Sequence, residues 1–137
     1  MPELFSPDID QRRTIRFDTH LQALVTNDWQ EHSVALVSNI SHDGIRIEGS
    51  RALVDIIFPN FNPGRPARRH SLSLRLALEE GMKITEENSV TLSCNSVYVL
   101  RQRQDWFQLG LIYSVIDAAT EVRLEQFILE LQHSEPR

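Results

Sequence analysis

Apolar and polar residues alternate along most of this chain. "SLSLRLALE" (71–79) puts Leu72, Leu74, Leu76 and Leu78 on one face, as a half-buried strand requires. "IRIE" (45–48) alternates in the same way. It leaves a polar turn, "SHDG", that follows the apolar run "SVALVSN" (33–39). "HLQALVT" (20–26) reads as an earlier strand that ends at the turn signal Asn27-Asp28. "SVTLSCNSVYVL" (89–100) and "WFQLGLIYSV" (106–115) read as two long strands joined by a hairpin loop, "RQRQD" (101–105). "RALVDIIF" (51–58) fits a strand or one helical turn, and "MKIT" (82–85) fits a short strand after a turn at Gly81. Pro59, Pro63, Gly64 and Pro66 forbid regular structure across "PNFNPGRPARRH" (59–70).

The period changes only near the C-terminus. Leu124, Phe127, Ile128 and Leu131 fall at i, i+3, i+4 and i+7, which is one helical stripe. Asp117 precedes it as an N-cap whose carboxylate accepts the free amide hydrogens of the first turn. Six or seven short strands at about 10-residue spacing, then one amphipathic helix, predict a small antiparallel barrel closed by that helix. Residues 1–18 are polar, contain Pro2 and Pro7, and end in "DQRRTIR". They read as a flexible arm leading into the domain. The expected division is an arm over 1–10, one domain over 11–132 and a tail over 133–137.

Composition narrows the function. The 137 residues suit one domain, and 41% hydrophobic residues supply a modest core. The formal net charge of -5 argues against a general attraction to nucleic acid or anionic membrane. Of the 14 basic side chains only Lys83 is lysine; the rest are arginine, whose planar fork suits phosphates and base edges. The single cysteine, Cys94, excludes an internal disulfide and a cysteine-based zinc site. "MPELFSPDID" lacks the pattern of a signal peptide, and no apolar run approaches the roughly 20 residues that cross a bilayer. A cytoplasmic protein without membrane insertion is expected.

No pattern of catalysis stands out. The five histidines are scattered without metal-ligand spacing, and neither a Gly-x-Ser-x-Gly elbow nor a glycine-rich phosphate loop occurs. Alternation with Val90 and Leu92 places Cys94 on an apolar face, as a packed thiol rather than a nucleophile. Glu79-Glu80 and Glu86-Glu87 read as solvated surface. The expectation is therefore no enzyme, no metal and no cofactor. Two arginine groups remain. Arg65, Arg68 and Arg69 read as a solvated basic loop or an effector contact. Arg12, Arg13 and Arg16 end the arm, where their guanidinium groups can converge on one ligand. "NISHDG" (39–44) matches the pattern (Asp/Asn)-x-Ser-x-x-Gly. Asn39 offers a donor and an acceptor and Ser41 a hydroxyl. Gly44 permits a positive φ or a close approach of backbone to ligand.

Arg12-Arg13-Thr14-Ile15-Arg16 followed by Asn39-Ile40-Ser41-His42-Asp43-Gly44 resembles the paired signature of the PilZ domain family, bacterial receptors for cyclic di-GMP. "WFQLGLIYSVID" (106–117) is similar to the late strand of these domains, and the terminal helix also fits. The likeness covers about residues 11–132, as a stand-alone single-domain member. It implies a mainly β fold: a six-stranded antiparallel β-barrel with a C-terminal α-helix. It implies cyclic di-GMP binding by Arg12, Arg13, Arg16, Asn39, Ser41 and Gly44. Arginine meets guanine O6 and N7 in two-pronged fashion, pairs with phosphate and stacks on the purine face. Ligand binding would change the surface shown to an unidentified effector protein, with no nucleic acid partner, in a monomer or a homodimer. The other reading is a PilZ-like interaction adaptor that binds no nucleotide.

Overall fold

A computed structural model of the chain describes residues 15–58 and 71–134. Six strands run in order: β1 (Phe17–Thr26), β2 (His32–Ile40), β3 (Gly44–Gly49), β4 (Ser71–Ala77), β5 (Ser89–Arg103) and β6 (Trp106–Val115). Helix α1 (Arg51–Ile57) lies between β3 and β4, and α2 (Ala118–Ser134) follows β6. The strands close on themselves in the order β1-β2-β3-β6-β5-β4, every pair antiparallel. Closure gives every strand a partner on each side, although β5 beyond Asn95 pairs with β6 alone.

Alternation fills the barrel. Leu21, Ala23 and Val25 of β1, Leu72, Leu74 and Leu76 of β4, and Val90, Leu92 and Cys94 of β5 all point inward. Leu109 and Leu111 of β6 meet them from the other side. Thr19 keeps its place on this inward row by donating its hydroxyl to the Val37 carbonyl at 2.8 Å. Burial pushes the Cys94 thiol up to about 12. It therefore stays protonated at neutral pH and hidden from reagents. Folded protein at pH 8 is expected to resist a thiol reagent that labels the denatured chain completely; rapid native labelling would show that the β4–β5 wall opens.

The ambiguous "RALVDIIF" segment is helix α1. It drives Leu53, Val54 and Ile57 into the barrel core, which a strand at this position could not do with the same residues. "MKIT" forms no strand. Asn88 occupies that segment instead, accepting from the Thr85 amide at 2.8 Å and donating to the Lys83 carbonyl at 2.8 Å. The expected loop at 101–105 is shorter than its polarity implies. β5 pairs as far as Arg103, opposite Trp106. Polar residues tolerate strand structure there because they lie at a hairpin tip, where Arg101 stands 5.5 Å from the Phe107 ring centroid and Arg103 5.6 Å from that of Trp106.

Helix α2 begins as expected. Asp117 Oδ1 accepts the Thr120 amide at 2.8 Å, and this hydrogen bond holds its carboxyl below the usual range. Leu124, Phe127 and Ile128 are buried and Leu131 packs against the core edge. Arg123 fixes the helix to the barrel through the carbonyls of Ser89 and Glu87, at 2.9 and 3.0 Å.

Candidate ligand-binding site

The turn from Asn39 to Gly44 joins β2 to β3, and its conformation follows from Ser41. The Ser41 hydroxyl accepts the amides of Asp43 and Gly44, each at 3.2 Å, and donates to the Gly44 carbonyl at 3.2 Å. Its own amide donates to that carbonyl at 2.9 Å. Ser41 is 0% exposed, so its hydroxyl is spent within the turn. Gly44 does not have a positive φ. The reason for glycine is space: a Cβ here would lie 2.2 Å from the Leu111 carbonyl oxygen of β6. The close approach is thus to a neighbouring strand. His42 and Asp43 are the exposed corner of the turn, with His42 Nδ1 3.9 Å from Glu125 Oε2 of α2.

Tyr113, which the sequence patterns did not single out, fastens the turn from behind. Its hydroxyl lies 3.0 Å from the Ser41 carbonyl and 3.2 Å from the Gly44 carbonyl. Its amide donates to the Asp43 carbonyl at 3.2 Å. Burial raises the Tyr113 pKa, with Cys94 adding to the rise and Arg16 opposing it, so the hydroxyl stays a donor across the physiological range. Only its place at the end of a strand's alternation could have marked it. Tyr113→Phe takes the phenol donor from the Ser41 carbonyl, while the Gly44 carbonyl keeps the Ser41 amide and hydroxyl. It should lower stability by about 1–2 kcal/mol, read as a fall in the denaturant midpoint with an unchanged slope; an unchanged midpoint would mean that Ser41 alone holds the turn.

Asn39 is the turn residue whose side-chain amide reaches outward. The residue is 4% exposed, and its Oδ1 accepts from Arg16 Nη1 at 3.3 Å. Among the described residues no buried polar atom lacks a partner, and Asn39 Nδ2 donates to none of them, so that nitrogen reaches the surface. Arg16 precedes β1 and is exposed. The fold therefore brings the last arginine of the arm motif onto the first polar residue of the turn motif, 23 positions away. Arg12 and Arg13 lie outside the described residues, as do Arg65, Arg68 and Arg69.

This surface offers guanidinium and amide donors on an open face, which suits an anion or the acceptor edge of a base. The described residues also hold a groove of about 670 Å³ lined by Leu24, Val34, Leu36 and Trp106; none of the motif residues lines it. Among the described residues no group of three or more His, Cys, Asp or Glu could hold a metal, and no helix is long and apolar enough to cross a membrane.

A closed six-stranded antiparallel barrel with this C-terminal helix is a PilZ-type domain in its fold. The c-di-GMP-bound PilZ domain of YcgR from Escherichia coli is similar over 90% of this chain and 92% of its own, with a TM-score of 0.59 and 9% identity. The Bacillus subtilis inhibitor of motility MotI/DgrA matches 92% of the chain at 23% identity and a TM-score of 0.59. The K. pneumonia MrkH–c-di-GMP complex matches 89% at 14% identity and a TM-score of 0.60. The chain spans about half the length of these last two, 53% and 52% respectively. No family model matches the sequence, and no curated protein matches it.

Proposed function

We propose that this protein is a cyclic di-GMP receptor that passes ligand binding to a partner protein through a changed surface. The observation that carries the reading is the Arg16–Asn39 contact, which brings one residue of each sequence motif together. Arg16 and the surface-reaching amide of Asn39 serve as direct ligand contacts, joined by Arg12 and Arg13 from the same motif. Ser41 and Gly44 act through shape: the first spends its hydroxyl in the turn and the second lets the turn lie against β6. The negative ligand draws the clustered arginines together, and the segment that precedes β1 settles beside the turn. YcgR and MrkH structures that contain c-di-GMP share this fold, which supports the choice of ligand.

Titration calorimetry with cyclic di-GMP tests the reading. Saturable heat is expected, together with slowed amide exchange in residues 5–16, which precede β1. Absence of both heat and a ligand-induced rise in thermal midpoint would sink it and leave the nucleotide-free adaptor.

A further inference from the structure

Beside Asn39 the sheet is irregular in a way that has consequences. The β2–β3 register shifts between Val37 and Asn39, so Ser38 and Asn39 together oppose Arg46 of β3. A bulge of this kind turns neighbouring side chains toward one another. The result is visible: Arg46 Nε donates to Ser38 Oγ at 3.1 Å, and Ser38 Oγ contacts the Arg46 carbonyl oxygen at 3.3 Å. Arg46 is half-buried, its stem is held, and its terminal Nη atoms donate to none of the described residues. An arginine fixed at Nε with both terminal amino groups unspent is poised for a two-pronged acceptor.

The row continues across the barrel. Arg46 stands opposite Gly110 of β6, and Gly110 stands opposite Tyr98 of β5. Gly110 has no side chain to separate them, and the Tyr98 ring lies over it. A Cβ at Gly110 would be 2.0 Å from Tyr98 Cε2 and 2.6 Å from Cδ2. The ring is thus laid over β6, at the position that stands between Tyr98 and Arg46 in the register. Gln108 Nε2 pins it by donating to the Tyr98 hydroxyl at 3.1 Å, and the side chain remains 36% exposed. On the far side of Asn39, Asp18 of β1 ends the row with an exposed carboxylate. Asn39, Arg46, Gly110 and Tyr98 sit on four consecutive strands, a span of about 14 Å at the usual strand spacing.

We infer that Arg46 and Tyr98 form a further subsite of the ligand surface, outside both sequence motifs. This rests on the cyclic di-GMP reading and adds to it. Arg46 meets a phosphate or the O6/N7 edge of a guanine, and the Tyr98 ring is the platform on which a purine stacks. A row of this length is longer than one base needs and suits a ligand that carries two.

Calorimetry with cyclic di-GMP on the full chain separates the outcomes. Arg46→Ala and Tyr98→Ala should each weaken binding about fivefold or more. Tyr98→Phe should keep the wild-type affinity because it keeps the ring. Arg46→Lys, which keeps the charge and the stem, should lose affinity as Arg46→Ala does, because an ammonium cannot make the paired contact. Thermal midpoints report that each variant is folded. If the wild type binds and Arg46→Ala, Arg46→Lys and Tyr98→Ala bind equally well, the subsite is overturned while the receptor reading stands. If the wild type itself fails to bind, the receptor reading falls and the subsite falls with it.

Discussion

Gly44→Ala should cost the free protein about 3 kcal/mol and lower its thermal midpoint on the order of 10 °C. The added Cβ would meet the Leu111 carbonyl oxygen at 2.2 Å and the Ile112 Cα at 3.2 Å. Both are backbone atoms, so no rotamer change relieves the contact. β6 cannot simply retreat, because it is hydrogen-bonded to β3 on one side and to β5 on the other within a closed barrel. The same turn carries Tyr113 and Ser41 hydrogen bonds that a displacement would also lengthen. Gly81 is the internal control. It has φ 71° and open space where a Cβ would go, with nothing within 4 Å, so Gly81→Ala strains only its own backbone, at about 1 kcal/mol. Chemical denaturation of the two variants compares steric with conformational cost. Equal stabilities would show that the β3–β6 pair yields, and that glycine at 44 serves something other than close packing.

That contrast explains what could be read from the chain and what could not. β4 was legible because Leu72, Leu74 and Leu76 alternate without interruption, and α2 because Leu124, Phe127 and Ile128 keep one stripe. These are local patterns set by the geometry of a single element. α1 stayed ambiguous because seven residues supply barely two turns of evidence, and only the barrel end decides which of them are covered. The turn motif was legible as a set of residue types, yet the division of labour within it was not. Ser41 and Gly44 look like ligand groups in the sequence, since a hydroxyl and a glycine are what a ligand loop would use. Their actual neighbours are the turn amides and Leu111, and the second lies far along the chain. Tyr113 illustrates the same limit, as its hydroxyl meets Ser41 across 72 positions. Long-range packing of this sort leaves no periodic trace.

Arg16→Ala, by the receptor reading, should weaken cyclic di-GMP binding at least tenfold, about 1.4 kcal/mol, while barely moving the stability of the free protein. The two halves of this expectation have separate causes. In the free protein the Arg16–Asn39 hydrogen bond is 3.3 Å long and made by an exposed side chain, so it contributes less than about 1 kcal/mol. In the complex the same guanidinium meets a charged or bidentate acceptor, where arginine contributes roughly 1–3 kcal/mol of discrimination. Asn39→Ala should also lower affinity, because it removes both the surface-reaching Nδ2 and the acceptor that positions Arg16. Since the two side chains touch, their losses should not add: the double variant should bind better than the sum of the single effects predicts. Strict additivity would mean that Asn39 and Arg16 act on separate parts of the ligand. Full affinity in the double variant would remove this face of the barrel as the binding site, because no ligand held there could ignore both groups.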